Sequence, residues 1–168
     1  IRMRAGLGVA LVGLVACVGC GPTQEEAIAV IKKLGGKVEV DKNNDVANVY
    51  FDGIEVTDAE LVNLKGLKNL KLLVLHYVKI TDAGLLHLKG LVNLQSLSLG
   101  YAEITDAGLV HLKGLTKLED LDLQRTKVTD AGMVHLKGLT KLEKLNLART
   151  KVTDAGMVHL KGLKNLKL

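Results

Sequence analysis

The tetrapeptide Thr-Asp-Ala-Gly returns every 24 residues along most of this chain. Full copies begin at Thr81, Thr105, Thr129 and Thr153, and a degenerate copy, Thr-Asp-Ala-Glu, begins at Thr57. A fixed period of this length is typical of one supersecondary unit stacked on copies of itself. Because the residues that are alike in every copy serve the stack, function is better sought at the positions where the copies differ.

Aliphatic residues keep the same spacing. In one copy they fall at Leu70, Leu73, Leu75, Val78, Ile80, Leu85, Leu88 and Leu91. Later copies begin at Leu94, Leu118 and Leu142, and the first begins at Val46, so five copies cover residues 46–165. Burying the aliphatic side chains of one unit does not offset the conformational entropy lost on ordering it. A unit therefore folds only as part of a stack.

From Leu118 to Leu139 the unit has the pattern L-x-x-L-x-L-x-x-T-x-V-T-D-A-G-[LM]-x-x-L-x-x-L. This pattern resembles the leucine-rich repeat, and more closely the Thr-Asp-x-Gly variant of bacterial leucine-rich repeat lipoproteins. It is also similar to the cysteine-containing repeats of F-box proteins. The resemblance implies an α/β fold, a curved solenoid with a parallel sheet on its concave side and short helices on its convex side.

One position departs from that family pattern. The usual Asn or Cys after the strand is replaced by Ile54, Val78, Ala102, Thr126 and Thr150. The side-chain ladder at this position is therefore expected to be absent or partial.

Local signals predict a short strand and a short helix in each unit. Segments such as Leu121-Asp122-Leu123 alternate as a half-buried strand does. Thr81 or Asp82 suits the N-cap of the helix, where a side-chain oxygen accepts from free N–H groups. A glycine suits its C-terminal end, where a left-handed residue is favoured. These glycines are Gly90, Gly114, Gly138 and Gly162.

Residues 23–45 predict an N-terminal cap made of a helix and a hairpin. Thr23-Gln24-Glu25-Glu26 has the capping-box pattern and opens an amphipathic stretch that ends at Gly35-Gly36. Val38 and Val40 alternate with charged residues, and residues 41–45 favour a turn into the first repeat strand. Such a cap would cover the open edge of the first repeat.

Residues 1–16 have the order of a secretory signal, with basic residues before an apolar run. The run that ends at Cys20 is shorter than the roughly 20 residues of a membrane span. The tetrad Leu14-Val15-Ala16-Cys17 resembles a bacterial lipobox, which implies lipidation of Cys17, with Cys20 as the alternative and residues 17–22 as a linker. A plain cleaved signal or an uncleaved anchor is the other interpretation. The Cys-x-x-Cys spacing does not favour a redox or zinc site, because no second pair follows.

The last three residues match the start of a sixth copy, and the first residue is Ile rather than Met. We therefore expect the repeat domain, residues 46–168, to be a piece of a longer protein.

The chain has a net charge of +5 at pH 7. Its repeated lysines alternate with repeated aspartates, which favours a solvated outer face over a nucleic-acid-binding surface. Four histidines also repeat, at His87, His111, His135 and His159. Imidazoles one strand apart can share a metal ion, but no outward carboxylate or cysteine joins them. The sequence predicts exposed histidines on the convex face, with no metal site and no cofactor.

Function is expected on the concave face, where the repeats differ. The candidate binding residues are Tyr50, His76, Tyr77, Tyr101, Asp120, Asp122, Arg125, Asn146 and Arg149. They include all three tyrosines of the chain, and Tyr and Arg often dominate protein interfaces. Arg125 is expected to stack on Tyr101. The alternative interpretation is that large side chains only cover the sheet.

An enzymatic alternative rests on Asp52, His76 and Ser98, which follow the order of an acid, a base and a nucleophile on successive strands. An open sheet supplies neither a pocket nor oxyanion donors, so no catalytic residue is predicted.

The sequence thus predicts a non-enzymatic scaffold that binds a protein or a peptide. It is expected to be held by an N-terminal lipid in the cell envelope, outside the cytoplasm, without nucleic-acid or small-molecule partners. The alternatives are a structural or adhesion element of the envelope and the recognition arm of a larger protein.

Overall fold

The computed structural model describes residues 21–167, which begin with a short linker and the cap helix. Helix α1, Gln24–Lys33, starts at the predicted capping box, in which Thr23 and Glu26 bond each other's backbone N–H groups. Its buried residues Ala27 and Ile31 lie one helical turn apart and face the first repeat. The predicted signal, residues 1–16, and both candidate lipidated cysteines lie outside the described residues.

The predicted hairpin joins the cap to the repeats. Strand β1, Lys37–Val40, pairs antiparallel with β2, Val46–Asp52, through a turn in which Asn44 has a left-handed φ of 64°. The Gln24 side chain accepts a hydrogen bond from the backbone N–H of Val46 at 2.7 Å. The cap is thereby fixed to the strand that opens the first repeat.

Five parallel strands follow one another in chain order. After β2 come β3, Leu72–His76, β4, Ser96–Ser98, β5, Asp120–Asp122, and β6, Lys144–Asn146. Each residue pairs with the residue 24 positions later, as Leu73 does with Leu97. Leu73, Leu97 and Leu121 are buried, whereas their strand neighbours point away from the core. We call the outward side of this sheet the concave face.

The opposite side carries the short helices, and we call it the convex face. The first repeat has a 3₁₀ helix, Glu60–Gly66. The next four begin with one α-helical turn: α2, Asp82–Leu85, α3, Asp106–Leu109, α4, Asp130–Met133, and α5, Asp154–Met157. Together with the parallel sheet they form the solenoid that the sequence predicted. One continuous core of leucines and other aliphatic residues lies between the two faces.

Threonine caps each α-helical turn, as predicted for Thr81, but the aspartate beside it does not. Thr105 Oγ1 accepts from the N–H of Ala107 at 3.3 Å. The carboxylate of Asp82 bonds the next repeat instead, accepting from the N–H of Thr105 at 2.8 Å and from its hydroxyl at 2.5 Å. The same pair of bonds joins Asp58 to Thr81, Asp106 to Thr129 and Asp130 to Thr153. We call this contact the Asp–Thr bridge.

The glycine of the motif is explained by space rather than by backbone conformation. A Cβ added to Gly108 would overlap Asp82 Oδ1 and lie 3.0 Å from its Cγ. Gly84, Gly132 and Gly156 meet the preceding aspartate in the same way. The first copy has Glu60 at this position. A larger residue is accommodated there because no aspartate of an earlier repeat faces it.

The prediction of left-handed glycines at the helix ends is wrong. Of the described glycines only Gly35 and Gly53 have a positive φ, so Gly90, Gly114, Gly138 and Gly162 do not. The residue that follows α4, Val134, keeps right-handed dihedrals, so this helix does not end on a left-handed residue. The left-handed position of each repeat lies instead at the end of the strand.

The side chains at the position after the strand, where a partial ladder was expected, bond only within their own repeat. Thr126 is buried, and its hydroxyl donates to the carbonyl of Leu123 at 2.8 Å; Thr150 does the same to Leu147 at 2.7 Å. Neither hydroxyl bonds a neighbouring repeat, whereas the Asp–Thr bridge recurs between repeats. Other side-chain bonds, such as those from Asn93 to Lys68 O and from Lys127 to Glu103, also join neighbouring repeats.

Two glycine substitutions test this account of the motif. We expect Gly108→Ala to lower the free energy of unfolding by about 2 kcal/mol or more, because the methyl group displaces a carboxylate that satisfies a backbone N–H. Gly138→Ala is the control, since a Cβ there meets nothing within 4 Å and φ is not left-handed. It should leave stability unchanged or raise it by up to about 1 kcal/mol. Urea denaturation followed by circular dichroism measures both, and equal losses would contradict the explanation.

Candidate functional site

Four large side chains occupy equivalent positions just after successive strands. They are Tyr77, Tyr101, Arg125 and Arg149, which we call the Tyr/Arg column. Their backbones continue the sheet, because Tyr77 N–H donates to Gly100 O at 3.1 Å, and Tyr101 and Arg125 make the same bond to the next repeat at 2.9 Å. Tyr77, Arg125 and Arg149 are exposed, and Tyr101 is half-buried.

Every residue of the Tyr/Arg column has a left-handed backbone. Their φ values are 57°, 67°, 55° and 59°. This conformation costs a residue with a Cβ roughly 1–2 kcal/mol. The first repeat has Gly53 at the same position, with φ 66° and open space around it. The solenoid therefore accepts glycine here, and the bulky side chains are retained at a position where they strain the backbone.

An aromatic cluster forms around the first half of the column. The rings of Tyr77 and Tyr101 are 3.9 Å apart, and His76 meets them edge-on at 4.4 and 5.1 Å. The Arg125 guanidinium lies 5.0 Å from the centre of the Tyr101 ring, which confirms the predicted stacking. A polar contact with the Tyr101 hydroxyl raises the pKa of the Tyr77 phenol above its ordinary value. The side chains of His76, Tyr77, Tyr101 and Arg125 thus form one packed surface.

Two neighbours complete this cluster. Asp52 Oδ1 lies 3.5 Å from His76 Nδ1 on the adjacent strand. Gly100, which the sequence analysis missed, leaves the space that His76 fills, because a Cβ there would lie 2.5 Å from His76 Cδ2. Gly100 lies two residues beyond β4, in line with the outward side chains of Ser96 and Ser98. A glycine in this alternation is the signal that would have identified it.

Asp122 and Asn146 support the turns that carry the two arginines. Asp122 Oδ1 accepts from the N–H of Gln124 at 2.9 Å, and Asn146 Oδ1 accepts from the N–H of Ala148 at 3.0 Å. Such bonds to the backbone two residues on are typical of Asx turns. Both predicted site residues therefore have a structural task, and their role in binding stays a prediction.

The arrangement does not favour the enzymatic alternative. The hydroxyl of Ser98 donates to Asp122 Oδ2 at 3.3 Å, on the strand away from His76. Asp52, His76 and Ser98 therefore do not form a proton relay. Asp120, also predicted for the site, is directly opposite Lys144 on β6 and away from the aromatic cluster.

Tyr50 belongs to a separate cluster at the cap. Its hydroxyl donates to Glu39 Oε2 at 3.1 Å, and the amide of Asn48 donates to the same oxygen at 2.9 Å. Lys37 bonds Glu39 at 2.6 Å. These bonds, the one from Lys37 foremost, lower the pKa of Glu39 to about 2. Glu39 is not among the residues predicted for the site, although its alternation with Lys37 on an edge strand places it on the concave face.

The histidines of the convex face differ from the prediction. His87, His111 and His135 are half-buried, and only His159 is exposed. The Nδ1 atoms of His87 and His135 are buried without a hydrogen-bond partner. Burial is the main cause that lowers the pKa of both imidazoles. Within residues 21–167 no three His, Cys, Asp or Glu side chains are grouped to hold a metal ion.

Comparison with known proteins identifies the class of fold. Residues 90–112, 114–136 and 138–160 match the family described as Leucine Rich repeat. With the geometry above, this shows that the chain folds as a leucine-rich-repeat solenoid. No curated protein matches the chain significantly.

Many solved structures are similar to this chain, and two of them are given as examples. Internalin C2 from Listeria monocytogenes is 34% identical over 63% of this chain and 43% of its own, with a TM-score of 0.56. The chain thus spans less than half of that protein. The ectodomain of the Arabidopsis thaliana receptor kinase GASSHO1/SCHENGEN3, solved in complex with CASPARIAN STRIP INTEGRITY FACTOR 2, matches over 77% of this chain and 19% of its own. At 18% identity and a TM-score of 0.53, that likeness shows the fold alone.

No helix among residues 21–167 has both the length and the apolar character needed to cross a membrane.

The cost of the left-handed backbone is measurable at Gly53, the equivalent position in the first repeat, and at Arg149, the last residue of the Tyr/Arg column. We expect Gly53→Ala to cost roughly 1–2 kcal/mol of unfolding free energy, because it imposes the left-handed penalty without any contact. Arg149→Gly should leave stability unchanged or raise it by up to about 1 kcal/mol, since relief of strain offsets the added freedom of the unfolded chain. Urea titrations of both variants beside the wild type test this. A neutral Gly53→Ala would show that the position is not strained.

Proposed function

We propose that this protein is a non-enzymatic scaffold that binds a protein or a peptide on its concave face, with contacts centred on the Tyr/Arg column. The observation that carries the proposal is the retention of Tyr77, Tyr101, Arg125 and Arg149 at left-handed backbone positions. Strain of this kind collects at functional sites. Because Gly53 shows that the fold does not require these side chains, we assign them a role in binding a ligand.

The chemistry of the cluster supports the same assignment. Tyrosine and arginine combine contact area with hydrogen bonding, and both are enriched among residues that dominate interfaces. His76, Tyr77, Tyr101 and Arg125 already pack on one another. Less side-chain entropy is therefore lost when a partner binds.

The similar structures add limited support. The plant ectodomain is seen in complex with CASPARIAN STRIP INTEGRITY FACTOR 2, so a solenoid of this fold holds a partner in that protein. The present proposal rests on the side chains of this chain and takes only the general mode of binding from that complex.

A triple substitution separates binding from folding. Tyr77→Gly/Tyr101→Gly/Arg125→Gly removes the side chains of the Tyr/Arg column and releases its backbone strain. We expect peptides selected from a random library on the immobilised wild-type chain to bind this variant at least about tenfold more weakly, a loss of about 1.4 kcal/mol. Its thermal unfolding midpoint should not fall far enough for unfolding to explain the weaker binding.

The matched control is Lys79→Ala/Glu103→Ala/Lys127→Ala, which changes three exposed residues two positions further along the same repeats. This control should bind the selected peptides as the wild type does. Isothermal titration calorimetry measures all three proteins. Equal affinities for the wild type and the Tyr/Arg variant would show that the column is not the binding site, and would favour a structural role in the envelope.

We further propose that a lipid on Cys17 tethers the protein in the cell envelope, outside the cytoplasm. The support is sequence: basic residues, an apolar run and Leu14-Val15-Ala16-Cys17 stand in the order of a bacterial lipobox. Cys20 is the alternative attachment site. A lipid at either position would place the start of the described solenoid close to the membrane.

Metabolic labelling tests the anchor. In a bacterial host fed a clickable fatty acid, the wild-type chain should take up label, Cys17→Ser should lose it, and Cys20→Ser should keep it. Fluorescence of the clicked protein on a denaturing gel is the measurement. Loss in Cys20→Ser alone would move the anchor to Cys20, and an unlabelled wild type would remove the anchor altogether.

A further inference from the structure

The linker from the N-terminal segment meets the convex face at the first two repeats. Gly21 packs against Lys65, whose Cβ would lie 3.3 Å from a Cβ on Gly21, and Pro22 O closely contacts Gly66. Beside this contact lies an open groove of about 710 Å³ between the linker and the first two convex turns. The surface nearest to the proposed anchor is therefore defined by the structure.

Three lysines surround this groove. Lys65, Lys68 and Lys89 line it, and no carboxylate does so among the described residues. None of the three takes part in the ion pairs found within residues 21–167. The nearby carboxylates of Asp58 and Asp82 are held by the Asp–Thr bridges to Thr81 and Thr105. Because the groove is lined by three lysines and by no carboxylate of the described residues, it presents a cationic surface.

Leu86 lines the same groove, and Val62 and Val92 are further exposed aliphatic residues of the first two repeats. Leu86 and Val92 are each 51% exposed, and Val62 is 38% exposed. Lysines interspersed with exposed aliphatic groups are typical of surfaces that lie at the boundary between lipid headgroups and acyl chains. We call Val62, Lys65, Lys68, Leu86, Lys89 and Val92 the basal patch.

The length of the linker limits how far the basal patch stands from the anchor. Three residues lie between Cys17 and Gly21, so their Cα atoms are four steps, or at most about 14 Å, apart when the chain is fully extended. The layer of headgroups is itself roughly 5–8 Å thick on each side of a bilayer, and charges are screened over about 8 Å at physiological salt. A lipid on Cys17 thus brings Lys65 within electrostatic reach of the headgroups.

We propose that the basal patch docks on anionic phospholipid headgroups and so orients the anchored solenoid with its concave face away from the bilayer. This inference rests on the proposed lipid anchor. The anchor supplies the attachment, while the lysines and aliphatic side chains supply the contact that fixes orientation. In that orientation the Tyr/Arg column faces the surrounding space and is open to a partner.

The magnitude is sufficient to hold an orientation. A basic residue near an anionic membrane surface increases binding by about fivefold, so three lysines supply a preference on the order of one hundredfold. An anchored protein needs only to prefer one orientation, because the lipid already prevents its escape.

The experiment uses the full lipid-modified chain reconstituted into two kinds of vesicle, one of phosphatidylcholine alone and one of phosphatidylcholine mixed with phosphatidylglycerol. Lysine acylation measured by mass spectrometry reports access to each amine. We expect labelling of Lys65, Lys68 and Lys89 to slow severalfold in the anionic vesicles relative to the neutral ones. Lys137 and Lys161, at the Lys89 position of later repeats, should label equally in both.

Charge removal provides the second test. In Lys65→Gln/Lys68→Gln/Lys89→Gln, amide hydrogen exchange of residues 60–92 should be the same on both vesicles, whereas in the wild type it should be slower on the anionic ones. The matched control, Lys113→Gln/Lys137→Gln/Lys161→Gln, removes the same charge from later repeats and should behave as the wild type. Loss of the difference in both variants would show that total charge, rather than the basal patch, is responsible, and would overturn the proposal.

Flotation of the vesicles separates this proposal from the anchor. Protein that floats with both vesicles but shows no slower labelling at the basal patch overturns docking and leaves the anchor intact. Protein that floats with neither overturns the anchor, and docking with it.

Discussion

The Asp–Thr bridge is the interaction on which the regularity of this solenoid depends. One carboxylate accepts from both the backbone N–H and the hydroxyl of the threonine 23 residues later. That threonine also caps its own helix. A single aspartate thereby links the start of one convex turn to the start of the next. Because both carboxylate oxygens are engaged, the bridge fixes the register between repeats as well as their contact.

The bridge also determines which other residues are accepted. Glycine is needed where the carboxylate of the previous repeat lies, and Glu60 appears only where no such carboxylate exists. On the other side of the core, the same register places equivalent residues in line at the strand ends. The scaffold therefore produces a column of left-handed positions in which glycine is sufficient for folding. Tyrosine and arginine at those positions are additions to the scaffold, and this separates the side chains proposed to bind a ligand from the structural ones.

Much of the architecture could be predicted from the sequence because it depends on periodicity. The strands, the threonine caps and the capping box of α1 follow from patterns that short-range physics dictates. The hydrogen-bond partner of Asp82 could not be predicted in this way. Local patterns assign both residues of a Thr-Asp pair to the N-terminus of their own helix, whereas the Asp82 carboxylate accepts from Thr105 in the next repeat. The helix-end glycines were misassigned for a similar reason, since their φ angles are set by how the helical turn continues rather than by residue type.

Within the candidate site, the stacking of Arg125 on Tyr101 was predictable from register alone. Sequence patterns mark Gly100 and Glu39 as outward positions, but their contacts, with the His76 ring and with the Asn48 amide, are seen only in the structure. The basal patch follows the rule that differences between copies carry function. The position of Val92 holds Thr116 and Thr140 in later repeats, and that of Lys68 holds Val92 in the next one. Lysines repeat along the whole convex face, and the position of Leu86 is also exposed and aliphatic in later repeats, at Val110 and Val158. The early repeats differ in that Lys68 joins Lys65, Lys89 and Leu86 around the groove beside the linker. The early repeats thus differ from the common repeat pattern on both the concave and the convex face. The proposed membrane contact and the proposed ligand contact therefore lie on opposite sides of the sheet.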